Sequence, residues 1–324
     1  MSRRRYVAGR LAQSLTTLFV VISFNFWLFR LLPGNFTQLI AKAGVLDPAA
    51  VQSLKQTFGL DKSAGEQYVL YLKNFVTLDW GISYVSREPV IHLVVQALAN
   101  TILLITAAFI LTTVVGVVLG VVAGTHAGRL ADSSIVTSSL ALWSMPTFWL
   151  GLILVFVFSS WAGGLPVAGM QTFGASYNNV LEAVADIAAH LILPTATLVV
   201  GSIAQYTLIM RNSLVNVLEE DYVTTARAKG LPRRRILWGH AVPNALLPTF
   251  TLTWLNIGIF LSTTIQVEVV FSWPGLGSLI YASVNQRDYP VLEVAFLMIA
   301  VVVIVANLLN DLLYPLLDPR IKRA

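Results

Sequence analysis

Six runs of apolar residues, at about 11–33, 100–123, 135–161, 190–210, 247–271 and 291–315, restrict what this chain can fold into more than anything else in it. A helix rises about 1.5 Å per residue, so about 20 apolar residues cross a hydrocarbon core of roughly 30 Å. The runs consist mainly of Leu, Val, Ile and Ala and lack the alternation over about ten residues that marks a membrane barrel strand. They predict helices, and the expected fold class is an all-α polytopic membrane protein with six transmembrane helices. Composition agrees: 56% of residues are hydrophobic and 11% charged, whereas soluble domains carry about a quarter charged residues.

The basic residues orient the spans. With the N-terminus inside, residues 1–10, 124–134, 211–246 and 316–324 fall on the cytoplasmic side and hold 14 of the 21 Lys and Arg. The long outer loop 34–99 offsets its own cations with Asp47, Asp61, Glu66, Asp79 and Glu88. The excess of positive charge on inner segments predicts that both termini are cytoplasmic, and it accounts for the net charge without a nucleic-acid partner. The first apolar run follows a basic start, yet it is longer than a secretory h-region and ends in Leu31-Leu32-Pro33-Gly34, so it is expected to stay as the first span. The chain has no cysteine, which excludes disulfides and thiolate metal sites.

Loop 34–99 carries two helix signals. Asp47-Pro48 reads as an N-cap and first helical residue, with Gly59 as the stop. In EQYVLYLKNF, Tyr68, Tyr71, Leu72 and Phe75 share one face. That face either packs on helix ends or the lipid surface, or receives an external protein through Tyr68, Tyr71 and Phe75. Segments 163–179 and 272–290 read as outer loops. The four histidines lie in separate segments, and there is no H-E-x-x-H, no G-x-S-x-G and no G-x-x-x-x-G-K-[ST] phosphate loop. No catalysis and no metal site are expected, and any ATP must be bound by another chain.

Within the spans, Glu268 and Asp311 lie about nine residues from the span centres, where a carboxylate is expected to snorkel or cap at the interface rather than relay protons. Pro146 falls mid-span and should kink its helix. Its neighbours Ser144 and Thr147 either line a pathway, with Pro146 and Glu268, or satisfy freed backbone carbonyls. The cytoplasmic stretch 222–248, YVTTARAKGLPRRRILWGHAVPNALLP, predicts a helix from about 216 to Gly230, a turn at Leu231-Pro232 and a second short run leading through Pro243 and Pro248 into span five. Small residues at the bend (Thr224, Thr225, Ala226, Gly230) suit a docking knob for another protein. Its basic residues suit binding to anionic lipid.

This stretch resembles the EAA loop of ABC-importer permeases. Thr224-Thr225-Ala226 stands where Glu-Ala-Ala is usual, Gly230 takes the glycine, and Pro243 the closing proline, with His240 and Val242 where Ile and Leu are typical. The form DYVTTARAKG is similar to that of dipeptide, oligopeptide and nickel permeases, as are FGLD, DWGISY, SMPTFWLGL, HLILPT, VEVVFSWPGLG, RDYPVLE and DLLYPLLDPRIK. The resemblance implies a type I ABC-importer transmembrane domain in the bacterial cytoplasmic membrane. Residues 1–95 would form a first helix plus outer loop, 96–315 the permease core with its coupling loop at about 212–246, and 316–324 a cytoplasmic tail. It further implies a second permease subunit, two ATPase subunits that bind ATP and Mg, an external substrate-binding protein, and contact with membrane lipid. Thr224, Thr225, Ala226, Lys229, Gly230, Leu231 and Pro243 would form the ATPase-coupling site. The implied cargo is di- or oligopeptides, with nickel, haem or another small solute as the alternative. Of the competing classes, an ion-coupled secondary transporter would show paired half-repeats with broken helices and midplane charges, and the sequence displays neither, while a scaffold or channel subunit would not need a kinked, polar span three.

Overall fold

The computed structural model describes residues 3–31, 62–162, 164–255 and 257–317. The helix expected between Asp47 and Gly59 lies outside them, as does most of the tail. In chain order the described helices are α1 (Arg3–Leu31), α2 (Ala64–Thr77), α3 (Val90–Thr125), α4 (Leu130–Trp143), α5 (Thr147–Val157), α6 (Val180–Leu218), α7 (Asp221–Ala228), α8 (Arg233–Ile236), α9 (Val242–Leu255), α10 (Ile257–Val270), α11 (Leu276–Gln286) and α12 (Tyr289–Leu317). π-helical turns at Phe158–Ala162 and Leu237–Ala241 follow α5 and α8. Among the described residues the sole β pairing is an isolated bridge between Ile82 and Pro89.

Among the described residues, four helices are long and apolar enough to cross a membrane: Arg5–Leu31, Val90–Thr125, Val180–Leu218 and Tyr289–Leu309, and α4 with α5 makes a fifth if that bent pair is one span. The apolar run at 247–271 falls on α9 and α10, on either side of residue 256, which lies outside the described residues. α3 has 36 residues and α6 has 39, or about 54 and 58 Å, so both exceed a hydrocarbon core; the apolar run marks the middle of α6 but reaches almost to the end of α3. Polar capping extends α6 backward. Asn179 accepts the Glu182 N–H at 2.9 Å, and the Glu182 carboxylate accepts the Asn178 N–H at 2.9 Å.

The chain divides into two compact units, one of Met1–Thr101 with Pro274–Leu312 and one of Ile102–Trp273 with Leu313–Ala324. The first unit packs α1, α2, the start of α3, α11 and α12 around Phe26, Tyr71, Trp80, Val90, Val94 and Val294. Tyr71 sits with Phe26 and Trp80 at ring separations near 5.4 Å. Its oxygen accepts from Asn25 at 2.9 Å, and burial pushes its phenol pKa well above the ordinary value. α2 begins with a reciprocal cap in which Ser63 and Glu66 satisfy each other's backbone N–H groups. Hydrogen bonds from Ser63 hold the Glu66 carboxyl below its usual range. Arg30 reaches the buried Glu293 carboxylate at 3.6 Å and lies over the Phe26 ring. Segment 272–290, read as an outer loop, contains helix α11. Leu276, Leu279, Ile280 and Ser283 recur at helical spacing, and Leu276, Ile280 and Ser283 are buried.

The second unit is built on α6. Gly116, Gly120 and Gly124 of α3 face Tyr206, Met210 and Leu214 of α6. A Cβ built at Gly116 would stand 2.5 Å from the Tyr206 Cβ, and one at Gly120 would stand 2.6 Å from the Met210 Cβ and 2.8 Å from the Thr207 carbonyl. Only glycine permits that approach. Between α4 and α5 the helix does more than kink: the two axes meet at 98°. Pro146 takes an extended ψ of 132° at the N-cap of α5, a conformation its fixed φ favours and which no helix can pass through. A broken helix is therefore present where the sequence reading found none. Segment 164–179 is held by Asp186, which accepts from the Thr172 N–H and hydroxyl and from Tyr177, and by Gly169, whose N–H donates to the Phe271 carbonyl at 2.8 Å.

Candidate functional site

The stretch 219–246 forms a compact knob. The helix expected from about 216 is interrupted, because α6 ends at Leu218 and α7 starts afresh after Glu220 in extended geometry. Val223 and Ala226 of α7 and Ile236 of α8 are buried together, with Leu218 and Leu231 packed against them. This small apolar centre fixes the angle between the two short helices, neither of which would persist alone.

The turn between them is a complete left-handed cap. Gly230 has φ +73°, its N–H donates to the Arg227 carbonyl at 2.9 Å, and the Leu231 N–H donates to the Ala226 carbonyl at 3.2 Å. Those two bonds are the Schellman pattern, which satisfies the last carbonyls of α7 and requires a residue at ease with positive φ. No heavy atom lies within 4 Å of a Cβ built on Gly230. The bend is therefore bare backbone facing outward. Thr224, Thr225, Lys229 and Gly230 are exposed, Leu231 is half-buried, and Ala226 is turned inward as part of the knob's own centre. Pro243 is exposed in the first turn of α9, beyond the π-helical turn.

The knob is tied to the helix ends around it. Arg227 donates to the Leu218 carbonyl and Arg233 to the Thr125 carbonyl, each at 3.4 Å. Close by in sequence, Arg211 of α6 grips Asp132 of α4 through two nitrogens, at 2.6 and 3.0 Å, and the Gly128 N–H donates to the same carboxylate at 2.9 Å. The sequence reading passed over this pair. The available signal was that Asp132 is the single acid in segment 124–134.

The other expected site residues fall elsewhere. Ser144 ends α4 and donates to the Ala141 carbonyl at 2.7 Å, Pro146 is exposed at the break, and Thr147 packs beside Gly201. Ser144 thus satisfies backbone at the break. Glu268, expected to snorkel at an interface, is instead fully buried on α10, where its chain neighbours Val267 and Phe271 belong to a hydrophobic cluster with Trp273. Asp311 does sit as an end-of-span carboxylate, paired with Arg10 at 3.3 Å. Of the aromatic face on α2, Tyr71 is 3% exposed and Tyr68 and Phe75 pack on the same core. That face is occupied by the first unit itself, and Val69 and Val76 form the outward side.

Residues 116–323 match the family described as binding-protein-dependent transport system inner membrane component, and residues 3–105 match its N-terminal counterpart. The di/tripeptide transport system permease protein DppB of Pseudomonas aeruginosa is 35% identical over 98% of this chain and 98% of its own length. The oligopeptide transport system permease protein AppB of Bacillus subtilis is 35% identical over 98% and 99%, and the glutathione transport system permease protein GsiC of Escherichia coli is 35% identical over 98% of both.

Proposed function

This chain belongs to the binding-protein-dependent transport inner-membrane components, the permease subunits of ABC importers, and on that premise we propose that it carries di- or oligopeptides into the cell. It works as one half of a pathway completed by a second permease. Two ATPase subunits, holding ATP and Mg, seat the knob of α7 and α8, and an external binding protein hands over the peptide. Both termini and the knob face the cytoplasm, in keeping with the charge distribution.

The observation that carries this reading is the outward, side-chain-free bend at Gly230, fixed from behind by Val223, Ala226 and Ile236. A rigid protrusion with backbone at its surface transmits the movement of a partner that grips it. Closure of the ATPases on nucleotide displaces the knob as a body, and the attached helices α6 and α9 switch the pathway between outward and inward openings. Thr224, Thr225, Lys229 and Gly230 touch the ATPase, while Ala226 and Leu231 hold the bend in shape. The test is uptake of labelled dipeptides and tripeptides by a strain lacking the gene. Loss of uptake, restored by the gene, is the expected result. Unchanged peptide uptake with lost nickel or haem uptake would assign the other cargo.

A further inference from the structure

We propose that the cavity behind the α7–α8 turn binds the phosphate of an anionic phospholipid from the cytoplasmic leaflet. The cavity encloses ≈ 410 Å³ in the second unit. Arg227 and Arg233 line it from the two short helices. Each is tethered by one nitrogen to a backbone carbonyl, and a guanidinium has five N–H donors, so most remain for a ligand. Neither is in an ion pair among the described residues, and no carboxylate lines the cavity. Two positive charges share one concavity without a counter-ion.

The remaining surface distinguishes a lipid from a free anion. Leu218, Leu231, Ile236 and Leu237 supply an apolar floor, which offers nothing to a hydrated phosphate but accepts the glycerol and upper acyl carbons that accompany a phosphodiester. Thr125, the last residue of the apolar span α3, completes the wall. It places the mouth where an apolar helix leaves the bilayer, the depth of the headgroups. Trp238, beside Leu237, is 56% exposed, and an indole exposed at this depth is suited to the headgroup layer. Arg234 and Arg235 are exposed next to the cavity without lining it. A phosphate between Arg227 and Arg233 would staple α7 to α8 and stiffen the knob. Assigning the cavity to the cytoplasmic leaflet rests on the orientation proposed above.

The test compares lipid retention by the full chain, alone and assembled with its partner subunits, in nanodiscs of phosphatidylcholine doped with phosphatidylglycerol, with retained lipid read by native mass spectrometry. The expected result is phosphatidylglycerol retained by the native chain and weakened about 30-fold by Arg227→Gln with Arg233→Gln, each arginine contributing about fivefold. Arg234→Gln with Arg235→Gln removes the same charge outside the cavity and leaves retention nearly unchanged. Equal loss in both pairs would reduce the effect to diffuse surface attraction and overturn the proposal. So would displacement of the lipid by excess inorganic phosphate, which would mark a free-anion site, or retention that appears only once the ATPases are stripped away, which would mean that they fill the cavity. If the double variant fails to assemble, the two single variants carry the same comparison. Because retention is also read on the chain alone, failure of the importer reading leaves this measurement intact.

Discussion

Ser83 donates its hydroxyl hydrogen bond to Asp288 across 205 residues of sequence, joining DWGISY to RDYPVLE inside one unit. The other carboxylate oxygen accepts the Tyr84 N–H at 3.2 Å, and the Ser83 oxygen accepts the N–H groups of Val85 and Ser86. Both side chains are buried. Ser83→Ala strands one carboxylate oxygen and two N–H groups, and should cost about 1–3 kcal/mol. The check is thermal unfolding of the purified chain in detergent; an unshifted midpoint would remove this bond from the account.

Gly230→Val should separate assembly from transport. The open space around the position means that backbone strain decides the outcome. Holding a β-branched residue at φ +73° costs at least the roughly 1–2 kcal/mol of a left-handed residue. Transport and substrate-stimulated hydrolysis in proteoliposomes should fall severalfold while ATPase pull-down persists. Gly230→Asn, which tolerates the left-handed region, should retain most activity. Full transport by the Val variant would mean that the knob is not the coupling element.

Gly120→Ala should destabilise the second unit by about 1–3 kcal/mol, since the added methyl meets the Met210 Cβ and the Thr207 carbonyl, neither of which can move away freely. Gly9→Ala is the control, because a Cβ there meets nothing within 4 Å. Yield of folded protein and unfolding temperature should drop for the first and hold for the second. Equal behaviour would show that α3 and α6 can separate without cost.

Asp132→Asn and Arg211→Gln should each lower the unfolding temperature, because each leaves one member of a two-nitrogen grip without its partner. The exchange Asp132→Arg with Arg211→Asp should recover more stability than either single reversal retains. A double variant no better than the worse single one would show that local packing, and not the pair, holds α4 to α6.

Reporter fusions test the orientation. A reporter after residue 126 should be cytoplasmic and one at 175 or 282 external. Activity of an external-only reporter after 126 would reverse the assignment.

Legibility in the sequence followed the physics of each element. α3 and α6 announced their apolar stretches, but the turns beyond those stretches depend on caps such as Asn179 and on polar residues that hydropathy does not register. The bend at Gly230 was readable, since a glycine after a charged helical run has few other uses. The interruption at Glu219-Glu220 was not, because two helix-favouring residues there give no local sign, and the break exists to bury Val223 and Ala226 against Ile236. Gly116, Gly120 and Gly124 mean little until α6 supplies Tyr206, Met210 and Leu214. α11 was hidden because Pro274-Gly275 is a turn signal and the eleven residues after it are too few for their helical spacing to stand out beside the long apolar runs.

The right-angled joint at Pro146 limits how force travels through the second unit. A straight helix delivers an axial push to its far end undiminished, whereas members meeting at 98° pass almost none of it along the second axis. A push along α4 from its Arg129 end would therefore meet Thr147 across the axis of α5, not along it. In engineering terms α4 and α5 form an elbow at Pro146, which turns an axial push on the first arm into a load across the second.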